Sequence, residues 1–526
     1  VAKHFLKEQK VDMPYKLMFK KLVGTAKDRH DVGVYCVQDT MLPQRIINKL
    51  SILPNMVEMS KATWVPLSFL NEKGQSIKVF SQITQKTRLE NMVVITLDKS
   101  KLGDGDYEGA TVLGAKKGAY TEIPITGLDF ASLYPTIMRA HNLDHSTLVM
   151  DEKYGNIPGV DYYEINGYKF AQNHEGIIPK MLKDLAANRK AAKKEMAKAH
   201  DEGDEFKEKL YNGKQLAFKV SMNSMYGFCG ALVGMLPCKP VAESTTAVGR
   251  NMIEHTKKCV EEWYPGSEVV YGDTDSVMVQ FNVGDLRGQD AINKSFELGK
   301  EAADKISATF LKPIELEFEK VYLPYLLYSK KRYAGLMYTN PDKPDYIDAK
   351  GIQLVRRDNA PFVKDISKRV LDKIMYDNDV YGAMELVRGI ARDLLGGKIG
   401  IDDLIVSKSM KDNYKNRNQP HLAVAEKIER RMPGTGPKSG ERVPYVFIDT
   451  KNKKHKQFEK AEDPEYAKEN NLDIDLMYYL DHSLKSPMSS LFEVFVEDPA
   501  TELFGDIIRQ YRIDKGKKTI ITSFFI

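Results

Sequence analysis

Glu268-Val269-Val270-Tyr271-Gly272-Asp273-Thr274-Asp275-Ser276-Val277-Met278-Val279 sets two apolar, β-branched runs on either side of a short polar break. Runs of that kind favour strands and such a break favours a turn, so the stretch predicts a β-hairpin with acids at its tip. A tight turn that brings Asp273 and Asp275 together is repulsive unless a divalent cation offsets their charge. A solvated turn fits the same letters. A calcium loop of the EF-hand kind does not, because its twelfth position, counted from Asp273, is Gly284 rather than Glu.

A second strand-like run, Ile123 to Phe130, reaches another acid in Leu128-Asp129-Phe130-Ala131-Ser132-Leu133-Tyr134-Pro135. An ionised carboxylate that ends an apolar strand requires a cation or a hydrogen-bond cage. Taken alone, it serves equally as a cap at the helix that Ser132 and Pro135 could start. Two acid-tipped strand ends about 145 residues apart suggest one composite magnesium site built from separate strands of one sheet.

The third stretch runs from Lys214 to Gly227. On a helix Lys219, Asn223 and Tyr226 fall at i, i+4 and i+7 and share a face. Arg189 and Lys193 sit at i and i+4 on the preceding helical tract, which reads from about Pro179 to Glu208. Residues 180–219 hold eleven basic side chains against seven acidic ones. If the two helices pack antiparallel, three cations and an amide converge, and an anion such as a triphosphate would relieve the repulsion. Any one of these lysines serves equally well to solvate an exposed face.

The 526 residues predict about three to four folding units. With 42% hydrophobic and 29% charged residues the chain can bury sizeable cores, which excludes wholesale disorder. The 78 Lys and Arg against 73 Asp and Glu leave a net charge of +5, too small to demand an anionic partner. Cys36, Cys229, Cys238 and Cys259 form no CxxC pair, which argues against a zinc module or disulfide framework and for a reducing intracellular compartment. No apolar run approaches the ~20 residues that span a bilayer. Residues 1–50 read as helices, Val93-Val94-Ile95 as a strand among short apolar runs over 76–97, and the glycine-rich stretch between Leu97 and Tyr120 as a boundary loop. From about Pro361 onward the pattern is helical again, with a Lys-rich stretch over Lys451 to Lys456.

The three sites, in this order, resemble the three polymerase motifs of family B DNA polymerases, specifically of the DNA polymerase delta group and its relatives in large DNA viruses. The elements are DFxSLYP at Asp129 to Pro135, KxxxNSxYG at Lys219 to Gly227, and YGDTDS at Tyr271 to Ser276. The likeness extends through Tyr107-Glu108-Gly109-Ala110, Ser329-Lys330-Lys331-Arg332-Tyr333 and Lys350-Gly351. It implies a template-directed DNA polymerase and a multidomain α+β right-hand fold. Residues 1–65 would be the C-terminal part of an RNase H-like exonuclease domain and 66–120 a connecting region. The β-sheet palm would span 121–178 and 228–355, the helical fingers 179–227 and the helix-rich thumb 356–526.

The resemblance implies Asp129, Asp273 and Asp275 as catalytic acids, with Asp129, Asp275 and the backbone carbonyl of Phe130 holding two Mg²⁺ ions. Ser132, Leu133, Tyr134, Arg189, Lys193, Lys219 and Asn223 would bind the nucleotide, Tyr134 excluding a 2′-hydroxyl. Tyr107, Gly109, Tyr226, Gly227, Lys330, Lys331, Arg332 and Tyr333 would contact DNA. The implied partners are primer-template DNA, deoxynucleoside triphosphates and a sliding clamp, with no membrane, and the implied place is the nucleus or a viral replication site. Tyr35 and Asp39 resemble the YxxxD element of the family's 3′-5′ exonuclease. Its two upstream motifs have no DxE or NxxxD counterpart here, and the chain opens on Val1, so it is expected to be a piece of something longer with an incomplete exonuclease site. An exonuclease and a non-catalytic DNA-binding scaffold are the competing readings. The presence together of Asp129, Asp273, Asp275 and Lys219 favours catalysis.

Overall fold

The computed structural model describes residues 1–11, 13, 15–94, 96, 107–231, 233–352, 359–450 and 455–523, with backbone alone at 15, 16 and 517–523. Strands up to residue 350 are β1 (Gly118–Tyr120), β2 (Ile125–Phe130), β3 (Tyr162–Ile165), β4 (Tyr168–Ala171), β5 (Glu268–Asp273), β6 (Ser276–Gln280), β7 (Leu316–Ser329), β8 (Arg332–Tyr338) and β9 (Tyr346–Lys350). Helices up to residue 263 are α1 (Ala2–Phe5), α2 (Tyr15–Leu22), α3 (Ala26–Lys49), α4 (Ile52–Thr63), α5 (Leu67–Glu72), α6 (Gln75–Leu89), α7 (Leu133–Ala140), α8 (Ile177–Asp201), α9 (Glu205–Gly230) and α10 (Lys239–Trp263). The mixed α/β chain divides into two compact units. One comprises Val1–Thr111, Phe130–His255 and Ser307–Leu316, and the other Val112–Asp129, Thr256–Ile306 and Glu317–Ile526.

The second unit is built on an antiparallel sheet in the order β5-β6-β2-β7-β8-β9, with β1 also paired to β7. The expected hairpin is there: β5 and β6 pair through Val269↔Val279 and Asp273↔Ser276. The second acid-tipped strand lies beside it, since β2 pairs with β6 through Leu128↔Val277 and Asp129↔Ser276. Alternate side chains of these strands face a core that includes Ile125, Val270, Tyr271, Met278, Tyr322 and Tyr325. Each large apolar side chain buried this way contributes about 1.5–3 kcal/mol, which fixes the register and hence the positions of the acids. The region after Pro361 is not helical throughout. Helices Pro361–Asp377 and Val380–Leu395 are followed by a three-stranded sheet of Val406–Ser409, Arg442–Phe447 and Ala461–Glu462. Val443, Tyr445, Val446 and Phe447 give its central strand a β-forming, buried character. Of the Lys-rich stretch, residues 451–454 lie outside the described residues.

The first unit is mostly helical. Thr25 and Asp28 open α3 with a reciprocal capping box. The short-run reading of 76–97 is corrected: most of it is α6, and Val93 and Val94 join no strand, while Ile95 lies outside the described residues. The buried positions of α6 are Lys78, Val79, Gln82, Ile83 and Thr87, so polar residues occupy much of its inner stripe and hide the helical period. Gln82 is satisfied there, donating to the Ala62 carbonyl at 2.7 Å and accepting from the Ser221 hydroxyl at 2.6 Å. The tract expected to run unbroken to Glu208 ends at Asp201. Gly203 adopts φ +70°, and Asp204 starts α9 by accepting from the Lys207 N–H at 3.0 Å. α9 thus folds back along α8. None of the four cysteines forms a disulfide, and no described helix is long and apolar enough to cross a membrane. Of the glycine-rich boundary loop, 97–106 lie outside the described residues, and 107–117 form no regular strand or helix beyond an isolated bridge at Val112.

Candidate active site

In the second unit the hairpin turn between β5 and β6 is as tight as a turn can be. Thr274 sits at φ +64° and the Asp275 N–H donates to the Asp273 carbonyl at 2.7 Å, the hydrogen bond of a three-residue γ-turn. A β-branched residue with positive φ is strained, and such strain persists where surrounding structure holds it at a functional site. The turn turns the two acids to different fates. Asp273 accepts from the Lys331 ammonium at 2.7 and 3.0 Å, from the Tyr271 hydroxyl at 3.2 Å and from the Thr274 hydroxyl at 3.2 Å. Asp275 and Asp129 receive no side-chain hydrogen bond or ion pair among the described residues. Both are half-buried. Burial first, and then the neighbouring charges of Asp275 and Glu319, push the Asp129 carboxyl up to about 7. Burial also raises Asp275, with Asp273 and Glu319 adding to it. Two adjoining carboxylates with too little positive charge around them are an oxygen-donor set suited to a hard divalent cation. Among the described residues no group of three or more His, Cys, Asp and Glu could hold a metal ion, so these two acids would need other oxygens to complete its shell.

The two lysines of the turn between β7 and β8 are exposed, yet each is tied to a protein group. Lys331, at φ +62°, reaches Asp273, and its own N–H donates to the Tyr271 hydroxyl at 2.8 Å. Lys330 donates to the Val112 carbonyl at 2.8 Å, and Arg332 bonds the Ser490 hydroxyl and lies 4.0 Å from Glu493. Tyr333 joins a tyrosine layer on the sheet, 5.5 Å from the Tyr325 ring and 6.3 Å from that of Tyr271. Gly351 has φ +65°, and a Cβ there would run into the Lys331 carbonyl oxygen, so glycine is required for β9 to close against this turn.

In the first unit, Phe130 is 1% exposed with its ring against Phe310 at 5.5 Å, which leaves only its backbone to act as a ligand. Ser132 precedes α7 at φ +52° and makes no side-chain cap bond, so neither it nor Asp129 caps the helix as a side chain could. The Tyr134 ring lies 4.4 Å from that of Tyr226, whose hydroxyl is 2.9 Å from the Tyr107 hydroxyl. Tyr107 lies so close to α9 that a Cβ at Gly230 would meet its hydroxyl. Two residues that the sequence did not flag hold the Tyr107 to Ala110 loop: Thr246 and Arg250 of α10 each donate to the Glu108 carbonyl at 2.8 Å, and Arg250 also to that of Gly109. Their partners lie about 140 residues away in sequence, so no local signal could have found them. Gly227, Lys219 and Asn223 lie on the exposed side of α9. Tyr35 and Asp39 face each other on α3 at 3.5 Å, and Asp39 is paired with Lys10 at 2.7 Å.

Arg189 and Lys193 line a cleft of about 350 Å³ between α7 and α8, and the exposed pair Lys219 and Asn223 is not part of that lining. Arg189 also donates to Gln215 of α9 at 3.4 Å. The start of α8 is clasped from the segment after α7. Asp144, 2% exposed, accepts from the N–H groups of Ile177 at 3.1 Å and Ile178 at 3.3 Å, while Asn142 accepts from Gly176 at 2.8 Å and donates to the carbonyls of Ala171 and His174. A carboxylate at that end meets the positive pole of the helix and its orphan donors.

The family model for DNA polymerase family B matches residues 65–495, most of the chain and all three acids. The chain belongs to DNA polymerase family B. It is 45% identical over 530 residues to the DNA polymerase of Paramecium bursaria Chlorella virus NY2A, covering 99% of this chain and 58% of that one. To the DNA polymerase delta catalytic subunit of Oryza sativa subsp. japonica it is 44% identical over 539 residues, covering 100% of this chain and 48% of the other. The corresponding subunit of Candida albicans is 43% identical over 536 residues. The chain therefore spans about half the length of the curated relatives it matches. Within this family B chain the sheet carries the acids, and the α7–α8 cleft carries the cations.

Proposed function

We propose that the chain carries the catalytic centre of a template-directed DNA polymerase, which adds deoxynucleotides to a primer 3′-hydroxyl. The observation that carries this reading is the pair of Asp129 on β2 and Asp275 in the turn that leads into the adjoining β6, half-buried and without side-chain donors among the described residues, beside an Asp273 already satisfied by Lys331 and Tyr271. Two Mg²⁺ ions at Asp129, Asp275 and the Phe130 carbonyl would lower the pKa of the attacking hydroxyl and stabilise the leaving pyrophosphate. The protein's own part is positioning. Asp129 and Asp275 present their carboxylate oxygens at fixed sites, and the Lys331 ion pair keeps Asp273 as an auxiliary charge. Arg189, Lys193, Lys219 and Asn223 bind the triphosphate, with Ser132 and Leu133 offering backbone N–H groups at the start of α7. Tyr134 lies under the sugar. Tyr107, Gly109, Tyr226 and Gly227 border the nascent pair, and Lys330 to Tyr333 follow the primer-template. In the reaction the 3′-oxygen bonds to the α-phosphorus as the bond from that phosphorus to the bridging oxygen breaks, and the hydroxyl proton leaves to water.

In this reading 121–178 and 228–355 serve as palm, 179–227 as fingers, 356–526 as thumb, 66–120 as connection and 1–65 as part of an exonuclease domain. The setting is DNA replication in a nucleus or at a viral replication site, with a sliding clamp as partner. Primer extension by Asp129→Ala and Asp275→Ala, with duplex binding measured in parallel, tests it. Extension is expected to fall by at least about a thousandfold in both while DNA affinity stays measurable. Near-normal extension in either variant removes the metal assignment.

A further inference from the structure

Trp64 stands in a backbone conformation that its side chain opposes. It follows α4 at φ +57° and ψ +40°, the left-handed position at a helix end where glycine is usual. A bulky residue there is strained, and such strain persists where neighbours hold it, often at ligand sites. Two elements hold this one: the Trp64 N–H donates to the Ser60 carbonyl of α4, and the Ser81 hydroxyl of α6 donates to the Trp64 carbonyl at 2.6 Å. Packing within the protein does little to offset the strain, because Trp64 is 62% exposed.

Trp64 lines a cleft of about 570 Å³ among α4, α6, α8 and α9, all within the first unit, a volume typical of small-molecule sites. Leu89, Met181, Leu185 and Phe218 supply its apolar wall. Its charges nearly cancel. Glu58 is paired with Lys61 at 3.3 Å and Asp184 with Lys86 at 3.0 Å, which leaves Lys214 unmatched in the lining. Lys214 is half-buried, and among the described residues its ammonium and the side-chain amides of Gln85 and Asn188 make no hydrogen bond or ion pair. The cleft therefore offers one aromatic face, two amides that each donate and accept, and a single uncommitted cation.

We propose that this cleft binds a nucleotide, with its base stacked on Trp64, the base edge on the amides of Gln85 and Asn188, and one phosphate at Lys214. Stacking on an aromatic ring suits any base, amides match the donors and acceptors of a base edge, and an ammonium serves a phosphate as a point charge. One cation fits a single phosphate rather than a triphosphate. None of these residues belongs to the polymerase assignment, so the site stands apart from it. A free nucleoside monophosphate and a nucleotide within a single strand present the same base and phosphate, and the probes below separate them.

The test uses the full chain without metal or deoxynucleoside triphosphate. Of its two tryptophans, Trp263→Phe leaves Trp64 as the reporter, and stacking predicts that adenosine 5′-monophosphate quenches its fluorescence. Calorimetry is expected to show monophosphate affinity about tenfold weaker in Trp64→Gly, and about fivefold weaker in Lys214→Ala with the affinity for adenosine unchanged. Tighter binding of a short single-stranded oligodeoxyadenylate than of the monophosphate assigns the site to a strand, and the reverse order to a free nucleotide. Glycine relieves the strain at position 64, so Trp64→Gly is expected to melt no lower than the wild type. A melting temperature lower by several degrees makes Trp64 a packing residue and overturns the platform. Absence of quenching, or wild-type monophosphate affinity in both Trp64→Gly and Lys214→Ala, overturns the site. Binding lost in Arg189→Ala but kept in Trp64→Gly also overturns it, because the nucleotide would then occupy the α7–α8 cleft. No readout here uses primer extension, so failure of the polymerase reading and failure of this site are separate results.

Discussion

Asp129 holds a proton that a carboxylate in water would have lost, because burial and the charge of Asp275 push it up to about 7. A carboxyl whose folded pKa lies above its unfolded value near 3.8 favours the fold below that value, and the advantage is lost as the pH rises through 7. The metal-free protein is therefore expected to lose stability between about pH 4 and pH 7, and a divalent cation that displaces the proton is expected to restore it. Melting temperatures with and without Mg²⁺ check this. The stabilising shift should be larger near pH 8 than near pH 5 and should shrink in Asp129→Asn; an equal shift at both pH values contradicts the assignment. The Tyr134 ring, packed on Tyr226, makes a separate claim. Tyr134→Ala should relax discrimination against ribonucleotides about tenfold or more in the ratio of kcat/KM values, and an unchanged ratio would leave Tyr134 as packing alone.

Elements explain why some of this was legible in the letters and some was not. β5, β6 and β2 could be read because their β-branched runs end abruptly at acids, and a two-residue side-chain period leaves little choice of register. α6 could not, because Lys78, Gln82 and Thr87 occupy its buried stripe and its inner face is completed by hydrogen bonds to distant residues. The partners of the lysines in the β7–β8 turn, Asp273 and the Val112 carbonyl, lie far off in sequence, so the letters could not show them. Gly351→Ala tests how firmly that turn is held. With φ +65° and the Lys331 carbonyl in the way, the substitution should cost about 1–3 kcal/mol in denaturant unfolding, and a neutral result would mean that the turn moves freely. At the start of α8, Asp144→Ala leaves the Ile177 and Ile178 donors buried and unpaired, an expected loss of about 1–3 kcal/mol with faster amide exchange in the first turn of that helix.

At the scale of the molecule, each of the two units gathers three separated stretches of chain, which a linear scan for linkers cannot reveal. The motif order was nevertheless readable, because each motif is local, whereas the residues that hold the motifs in place, Thr246, Arg250, Asn142 and Asp144, carry no local signature. Net charge foretold little. Several of the cations proposed to meet DNA are already tied to protein groups, so the salt dependence of duplex binding should be modest, and Lys330→Ala should reduce its slope by less than about 1. The central claim is that Asp129 and Asp275 form the divalent-cation site while Asp273 is held by Lys331. Its most direct test is a Mn²⁺ titration followed by electron paramagnetic resonance, with the protein bound to a primer-template and an unreactive deoxynucleotide analogue. The expected result is that Asp129→Asn and Asp275→Asn each lose tight Mn²⁺ binding and Lys331→Met weakens it far less. Wild-type Mn²⁺ affinity in both aspartate variants would contradict the account.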